Sequence, residues 1–142
     1  MPNRELDASV QDVSSSAPRV LVVDDSEVIR ELISVNLELE GFEVSTAEDG
    51  QDALDRIEQV QPDLVTLDVV MPRLNGFETA ARLRANPATR HIPVVMVSAA
   101  AQEGDLQRGR EIGVNAYITK PFQPEELVRV VRELTASART AD

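Results

Sequence analysis

Residues Pro62-Asp63-Leu64-Val65-Thr66-Leu67-Asp68-Val69-Val70-Met71-Pro72-Arg73-Leu74-Asn75-Gly76 decide how the rest of the chain is read. Pro62 opens an apolar run, Leu64-Val65-Thr66-Leu67, with the length and content of a buried strand. The run ends on Asp68, and Met71-Pro72 followed by Asn75-Gly76 then forces a turn. A carboxylate at the carboxyl end of a buried strand lies where open α/β sheets place their ligands. Taken alone, such an aspartate more often just starts a loop. Its weight comes from what the neighbouring runs deliver.

Four more runs have the same character. Val20-Leu21-Val22-Val23 is short, continuous and rich in β-branched residues, the mark of a strand buried on both faces. It ends in Asp24-Asp25-Ser26. Phe42 to Ala47 gives a second strand, Ile92 to Val97 a fourth that ends on Ser98, and Ala116 to Thr119 a fifth that ends on Lys120-Pro121. Helical patterns fill the gaps. Ser26 is a good N-cap, and Val28, Ile29, Leu32, Ile33 and Leu37 recur behind it at helical spacing up to a stop at Gly41. Glu48-Asp49-Gly50 turns into a helix carrying Ala53, Leu54 and Ile57, and a helix from Phe77 to Arg84 is broken by Pro87. The segment Gly104 to Gly113 reads as a helix weakened by three glycines, each costing about 1 kcal/mol against alanine if interior. The last helix has Pro124 in its first turn and Leu127, Val128, Val131 and Leu134 along one face.

Five strands alternating with five helices predict an α/β fold with a parallel, doubly wound sheet. Right-handed crossovers put all the strand ends along one edge. Strand order does not follow from periodicity. Residues 1–18, with the Ser14-Ser15-Ser16 run and little apolar content, read as a flexible tail, residues 19–139 as one domain, and 140–142 as the C-terminal end.

Bulk properties narrow the function. The 142 residues carry a formal charge of −11, from 14 Lys+Arg against 25 Asp+Glu, which argues against nucleic acid as a partner. There is no cysteine, so thiol chemistry and Cys-ligated zinc are excluded. No apolar run approaches membrane-spanning length and no signal-peptide pattern opens the chain, so a cytoplasmic location is the default expectation.

The predicted ligand edge collects Asp24 and Asp25 from strand one, Asp68 from strand three, Ser98 from strand four and Lys120 from strand five. Three converging carboxylates repel one another, and proteins resolve that with a shared proton or a divalent cation. Oxygen ligands without His or Cys point to Mg²⁺. Lys120 and the Ser98 hydroxyl are suited to phosphoryl oxygens, so Asp68 is placed to act as a phosphoryl acceptor. Individually, Asp24 and Asp25 read equally well as helix-capping acids, Ser98 as a turn residue and Lys120 as a surface lysine. Their joint arrival at one edge favours the functional reading.

From Arg19 to Arg139 these residues resemble the receiver domain of two-component response regulators. The resemblance rests on Val-Asp-Asp-Ser after strand one, Leu-Asp-Val-Val-Met-Pro-Arg-Leu-Asn-Gly-Phe-Glu around Asp68, Val-Ser-Ala at Ser98, and Tyr-Ile-Thr-Lys-Pro-Phe at Lys120. It implies a flavodoxin-like sheet of order 2-1-3-4-5. It implies that Asp68 takes a phosphoryl group from a histidine kinase or histidine phosphotransfer protein. Asp25 and Asp68 would then bind Mg²⁺ with help from Asp24 and the backbone carbonyl of Val70. Ser98 and Lys120 would contact the phosphoryl group, a cis peptide would join Lys120 to Pro121, and Tyr117 would be the aromatic switch. The resemblance also implies a downstream protein target, with the chain a monomer or a phosphorylation-dependent dimer.

Val70 and Ala100 are apolar where many relatives are polar, which predicts slow self-hydrolysis, and Gln123 replaces the usual small N-cap of the last helix. His91, the single histidine, reads as solvated, Phe42, Phe77 and Phe122 as packing residues, and Glu27, Glu31, Glu38 and Glu40 as a solvated face beside which a kinase would dock. With three residues left after Arg139, a stand-alone receiver is the expectation. A fragment of a longer regulator and an aspartyl-phosphate phosphatase stay open, the last disfavoured because Val70 stands where such enzymes place a second acid. A flavin-binding protein fits poorly, since no Ser/Thr-rich phosphate loop follows strand one.

Overall fold

A computed structural model describes residues 17–140 of the chain. The expected tail at 1–18 therefore lies outside the described residues except for Ala17 and Pro18. Pro18 already joins the fold, because its carbonyl accepts from the Glu43 amide at 2.9 Å.

Five strands, β1 (Arg19–Val23), β2 (Glu43–Ala47), β3 (Leu64–Leu67), β4 (Val94–Ser98) and β5 (Ala116–Thr119), alternate with five helices. The helices are α1 (Glu27–Leu39), α2 (Gly50–Val60), α3 (Gly76–Ala85), α4 (Glu103–Ile112) and α5 (Pro124–Thr140). All strand pairs are parallel, in the order β2-β1-β3-β4-β5. The expected order is the observed one.

The alternation of side chains across each strand divides the core in two. Leu21, Val23, Val65, Leu67, Val94 and Met96 point to one face, where they meet Ala53 and Ile57 of α2 and Phe77, Ala80 and Leu83 of α3. Val20, Val22, Leu64, Val95 and Val97 point to the other, against Ile33 and Leu37 of α1 and Leu127 and Val131 of α5. Central β1, β3 and β4 are buried almost throughout, whereas edge strands β2 and β5 keep exposed positions. Phe42 and Phe77 are buried and Phe122 packs against the second cluster, as packing residues should.

Helix starts follow their capping chemistry. The Ser26 side chain accepts from the Ile29 amide, Asp49 from Asp52, and Asn75 exchanges two bonds with Glu78 in a capping box.

Three expectations need correction. Val28 and Leu32 do not belong to the buried stripe of α1: they are 75% and 43% exposed. The helix presents only the Ile33–Leu37 side to the sheet, and a stripe five residues wide exceeds what one face can bury. The fourth strand begins at Val94, since Pro93 has no amide to give and serves as an acceptor for the Val65 N–H at 3.0 Å. In α4, Gly113 is not helical. It is the C-cap at φ 100, where glycine is favoured, and Gly104 lies in the first turn, so Gly109 alone carries the interior penalty.

Candidate functional site

The sheet reverses its winding between β1 and β3, and the crevice beyond their carboxyl ends holds the candidate site. Asp24 follows β1 directly, and Asp68 follows β3, its amide held by the Val23 carbonyl at 3.1 Å. Adjacent parallel strands thus bring the two acids side by side. Asp25 joins them: oxygen atoms of Asp24, Asp25 and Asp68 all lie within 4.8 Å of one another. Asp24 and Asp68 are buried and Asp25 is exposed.

Lys120, at the end of β5, reaches across the edge of β4. Its ammonium donates to Asp24 Oδ2 at 2.8 Å and to Asp68 Oδ2 at 3.2 Å. The other oxygen of Asp24 accepts from the Ser26 amide at 2.9 Å, and the Asp24 carbonyl accepts from Arg30 at 2.7 Å. The Lys120–Pro121 peptide is cis.

The charges are in tension. Burial raises the Asp24 carboxyl above its ordinary value, with the Asp68 charge adding to the rise, and the bonds from Lys120 and Ser26 only partly offset this. For Lys120 burial works against the ammonium, yet bonding and attraction to Asp24 and Asp68 outweigh it and the net shift is upward. One ammonium faces two of the three carboxylates, Asp24 and Asp68, so negative charge is in excess in a partly desolvated crevice. Oxygen donors with an uncompensated negative charge fit a hard divalent cation such as Mg²⁺.

Ser98 is buried at the end of β4, but its hydroxyl is not bonded to the acids. It accepts from the Ala100 amide at 3.2 Å, while its carbonyl accepts from the Lys120 amide at 3.0 Å. Tyr117 donates its hydroxyl to the Ala100 carbonyl. Ser98 and Tyr117 are therefore connected through the short Ser98-Ala99-Ala100 backbone. Val70, two residues after the acceptor candidate, is 67% exposed, and its amide lies 3.4 Å from Asp68 Oδ1. His91 is exposed.

Sequence reasoning missed two residues beside this site. Arg73 and Asp49, read only as parts of turns, form a two-bond ion pair at 2.8 and 2.9 Å. An aspartate just before a helix-starting glycine was a cap signal, but nothing local pointed to its distant partner.

Comparison with known proteins agrees with this geometry. The family described as the response regulator receiver domain matches residues 20–132. The DNA-binding dual master transcriptional regulator RpaA of Synechocystis is 42% identical over 117 residues, which are 82% of this chain and 48% of that protein. Protein PilG of Pseudomonas aeruginosa is 38% identical over 128 residues, 90% of this chain and 95% of that one. The chain spans about half the length of RpaA and of the first PhoB and PhoP regulators that it matches. Among solved structures, chemotaxis protein CheY4 of Vibrio cholerae superposes with a TM-score of 0.79 at 33% identity, covering 84% of this chain and 99% of that one. The receiver domain of sensor histidine kinase PA1611 from Pseudomonas aeruginosa gives 0.78 at 28% identity, covering 85% and 99%, and is described with a magnesium ion in its active-site cleft.

Proposed function

The chain belongs to the response regulator receiver family, and on that footing we propose that Asp68 accepts a phosphoryl group from the phosphohistidine of a histidine kinase or phosphotransfer protein. The observation that carries this reading is the Lys120 ammonium spanning Asp24 and Asp68 at 2.8 and 3.2 Å. It holds the acceptor in place and leaves a cation ready for the incoming oxygens.

Asp24, Asp25 and Asp68, with the carbonyl of Val70, would hold Mg²⁺. Bound there, the ion would offset the excess negative charge and stabilise phosphoryl oxygens. An Asp68 oxygen attacks phosphorus, the P–O bond forms as the P–N bond breaks, and the imidazole leaves with the electron pair. Lys120 turns from the carboxylate to a phosphoryl oxygen. The Ser98 hydroxyl gives up the Ala100 amide and donates to another. Because Tyr117 is bonded to the Ala100 carbonyl, that movement draws on Tyr117 and shifts the surface formed by α4, β5 and α5 toward a second state. The chain is a signalling module that catalyses its own phosphorylation. With Val70 and Ala100 offering no polar side chain to position water, loss of the phosphoryl group is slow.

The partner reading has support in α1. Val28, Leu32, Val35 and Leu39 are all exposed and follow one another at intervals of four, three and four residues, which aligns them in one stripe. The stripe runs from the site outward with Glu27, Glu31 and Glu38 beside it, so a helix of the phosphodonor protein can lie along it. Among the described residues no helix is long and apolar enough to cross a membrane, and a cytoplasmic location is part of this proposal. The near full-length match to PilG favours a receiver acting through protein contacts, while RpaA and its kind favour one joined to an output module. The size of the protein recovered from its own cells separates these.

The test is intact mass after incubation with acetyl phosphate, with and without Mg²⁺, beside Asp68→Asn. A metal-dependent gain of one phosphoryl group that the variant lacks is expected. A gain that persists in Asp68→Asn would place the acceptor elsewhere.

A further inference from the structure

Two loops meet beside the acceptor. One links β3 to α3 and carries Val70; the other contains Glu48 and Asp49 and starts α2. In the first, Arg73 has φ 67, and among the described residues the other non-glycine at positive φ is Gln61. A left-handed backbone crowds the β-carbon, so a non-glycine residue stays there when its surroundings hold it.

The Leu74 amide donates to the Pro72 carbonyl at 2.7 Å across Arg73, which closes the turn locally, and Asp49 holds the side chain. Arg73 Nε donates to Asp49 Oδ2 at 2.8 Å and a terminal guanidinium nitrogen to Oδ1 at 2.9 Å, a paired geometry that fixes direction as well as distance. The Asp49 side chain is 8% exposed. Its Oδ1 also accepts from the Asp52 amide at 2.8 Å, so α2 immobilises the carboxylate that Arg73 meets. The adjacent residue adds a second fastening. The Gly50 amide donates to the Leu74 carbonyl at 3.2 Å, and a β-carbon at Gly50 would lie 2.5 Å from that carbonyl oxygen. Beyond the loop, the Gly76 amide donates to the Val69 carbonyl at 2.9 Å, and a β-carbon there would lie 2.2 Å from the Asp68 carbonyl oxygen. The backbone is tied on both sides of Val70, whose own side chain is mostly in solvent.

We propose that Asp49 and Arg73 are positioning residues, whose paired contact keeps the loop after Asp68 in the conformation from which the Val70 carbonyl serves the metal. This rests on the reading of Asp25, Asp68 and Val70 as metal ligands. Neither residue touches the reacting atoms. An ion pair with a half-exposed arginine contributes little by charge alone. Its effect comes from holding Arg73 in a backbone conformation that the loop would otherwise leave.

Three single variants and one double test this. Asp49→Asn keeps a capping oxygen and removes the charge, Arg73→Asn keeps a residue tolerant of positive φ and removes the guanidinium, and Arg73→Lys keeps the charge without the fork. Mg²⁺ affinity is measured by calorimetry, amide exchange between Val69 and Asn75 by NMR on the metal-free protein, and phosphorylation by acetyl phosphate across Mg²⁺ concentrations. Asp49→Asn and Arg73→Asn are each expected to weaken Mg²⁺ binding roughly three- to tenfold, at or below the low end for groups that support metal ligands. Loop exchange quickens, Arg73→Lys falls between, the double variant is no worse than either single one, and the rate at saturating Mg²⁺ is preserved. Unchanged affinity and exchange in Asp49→Asn would overturn the proposal, as would losses that simply add in the double variant. A wild-type chain that binds Mg²⁺ but takes no phosphoryl group from acetyl phosphate or from a panel of phosphorylated histidine kinases would overturn Asp68 as acceptor, while affinity and exchange still judge the clamp. A wild-type chain that binds no Mg²⁺ sinks both.

Discussion

Asp24 is a carboxylate kept where burial argues against its charge. Because its folded value is raised, the stabilising contribution of its protonated form is complete below about 3.8, the ordinary value, and is lost as pH rises through the folded value. At neutral pH the ionised group is therefore a cost to the metal-free fold. Asp24→Asn is expected to raise metal-free stability by about 1 kcal/mol at pH 7 in urea titrations, a gain that shrinks in acid, while Mg²⁺ binding weakens. Equal stability at pH 7 would mean that Lys120 already balances the charge. Thr66 offers a second test. Its hydroxyl is buried in central β3 with no hydrogen-bond partner among the described residues. Thr66→Val, replacing that hydroxyl with a methyl of similar size, should stabilise by about 1 kcal/mol. At this scale the sequence was legible where a polar residue ended an apolar run, which is how Asp24, Asp25, Asp68, Ser98 and Lys120 stood out together. Arg73 was not, because a turn arginine looks the same whether solvated or paired with a residue 24 positions away.

Among the elements, α4 and the two loops flanking α2 and α3 make opposite demands on glycine. A β-carbon at Gly104 would meet no heavy atom within 4 Å, so Gly104→Ala should stabilise by about 0.4–1 kcal/mol in thermal or urea unfolding, through the reduced freedom of the unfolded chain and not through an interior helix penalty. Gly109→Ala should gain less, since its β-carbon would stand 3.2 Å from Val114 Cγ2 and 3.4 Å from Tyr117 Cδ2. At Gly50 a β-carbon would lie 2.0 Å from Thr79 Oγ1 as well as against the Leu74 carbonyl, and Gly50→Ala should cost about 3 kcal/mol or more. If Gly50→Ala folds with wild-type stability, the two loops are not in the contact described. Element types were readable because apolar runs of strand length alternate with helical spacing. The burial of α1 was not, since periodicity records an apolar face without saying whether the chain itself covers it. Val28 and Leu32 satisfy the same spacing as Ile33 and Leu37 yet look outward.

For the whole molecule, parallel winding could be inferred from the alternation of elements, but strand order could not, because no local pattern tells a strand which neighbour it will have. Only the family resemblance supplied 2-1-3-4-5. The formal charge of −11 is likewise a property of the whole chain. Self-repulsion of that sign should be screened by salt, so raising NaCl from about 20 to about 200 mM should move the urea midpoint upward. A midpoint that falls would show that ion pairs such as Arg132 to Glu40 outweigh the repulsion. One more consequence follows from the bond between Tyr117 and the Ala100 carbonyl. The chain has one tyrosine and no tryptophan, so nearly all of its near-ultraviolet emission arises from the ring that this bond anchors. On the proposal that Tyr117 moves with Ser98, the emission of that one ring would follow phosphorylation with no dye and no label.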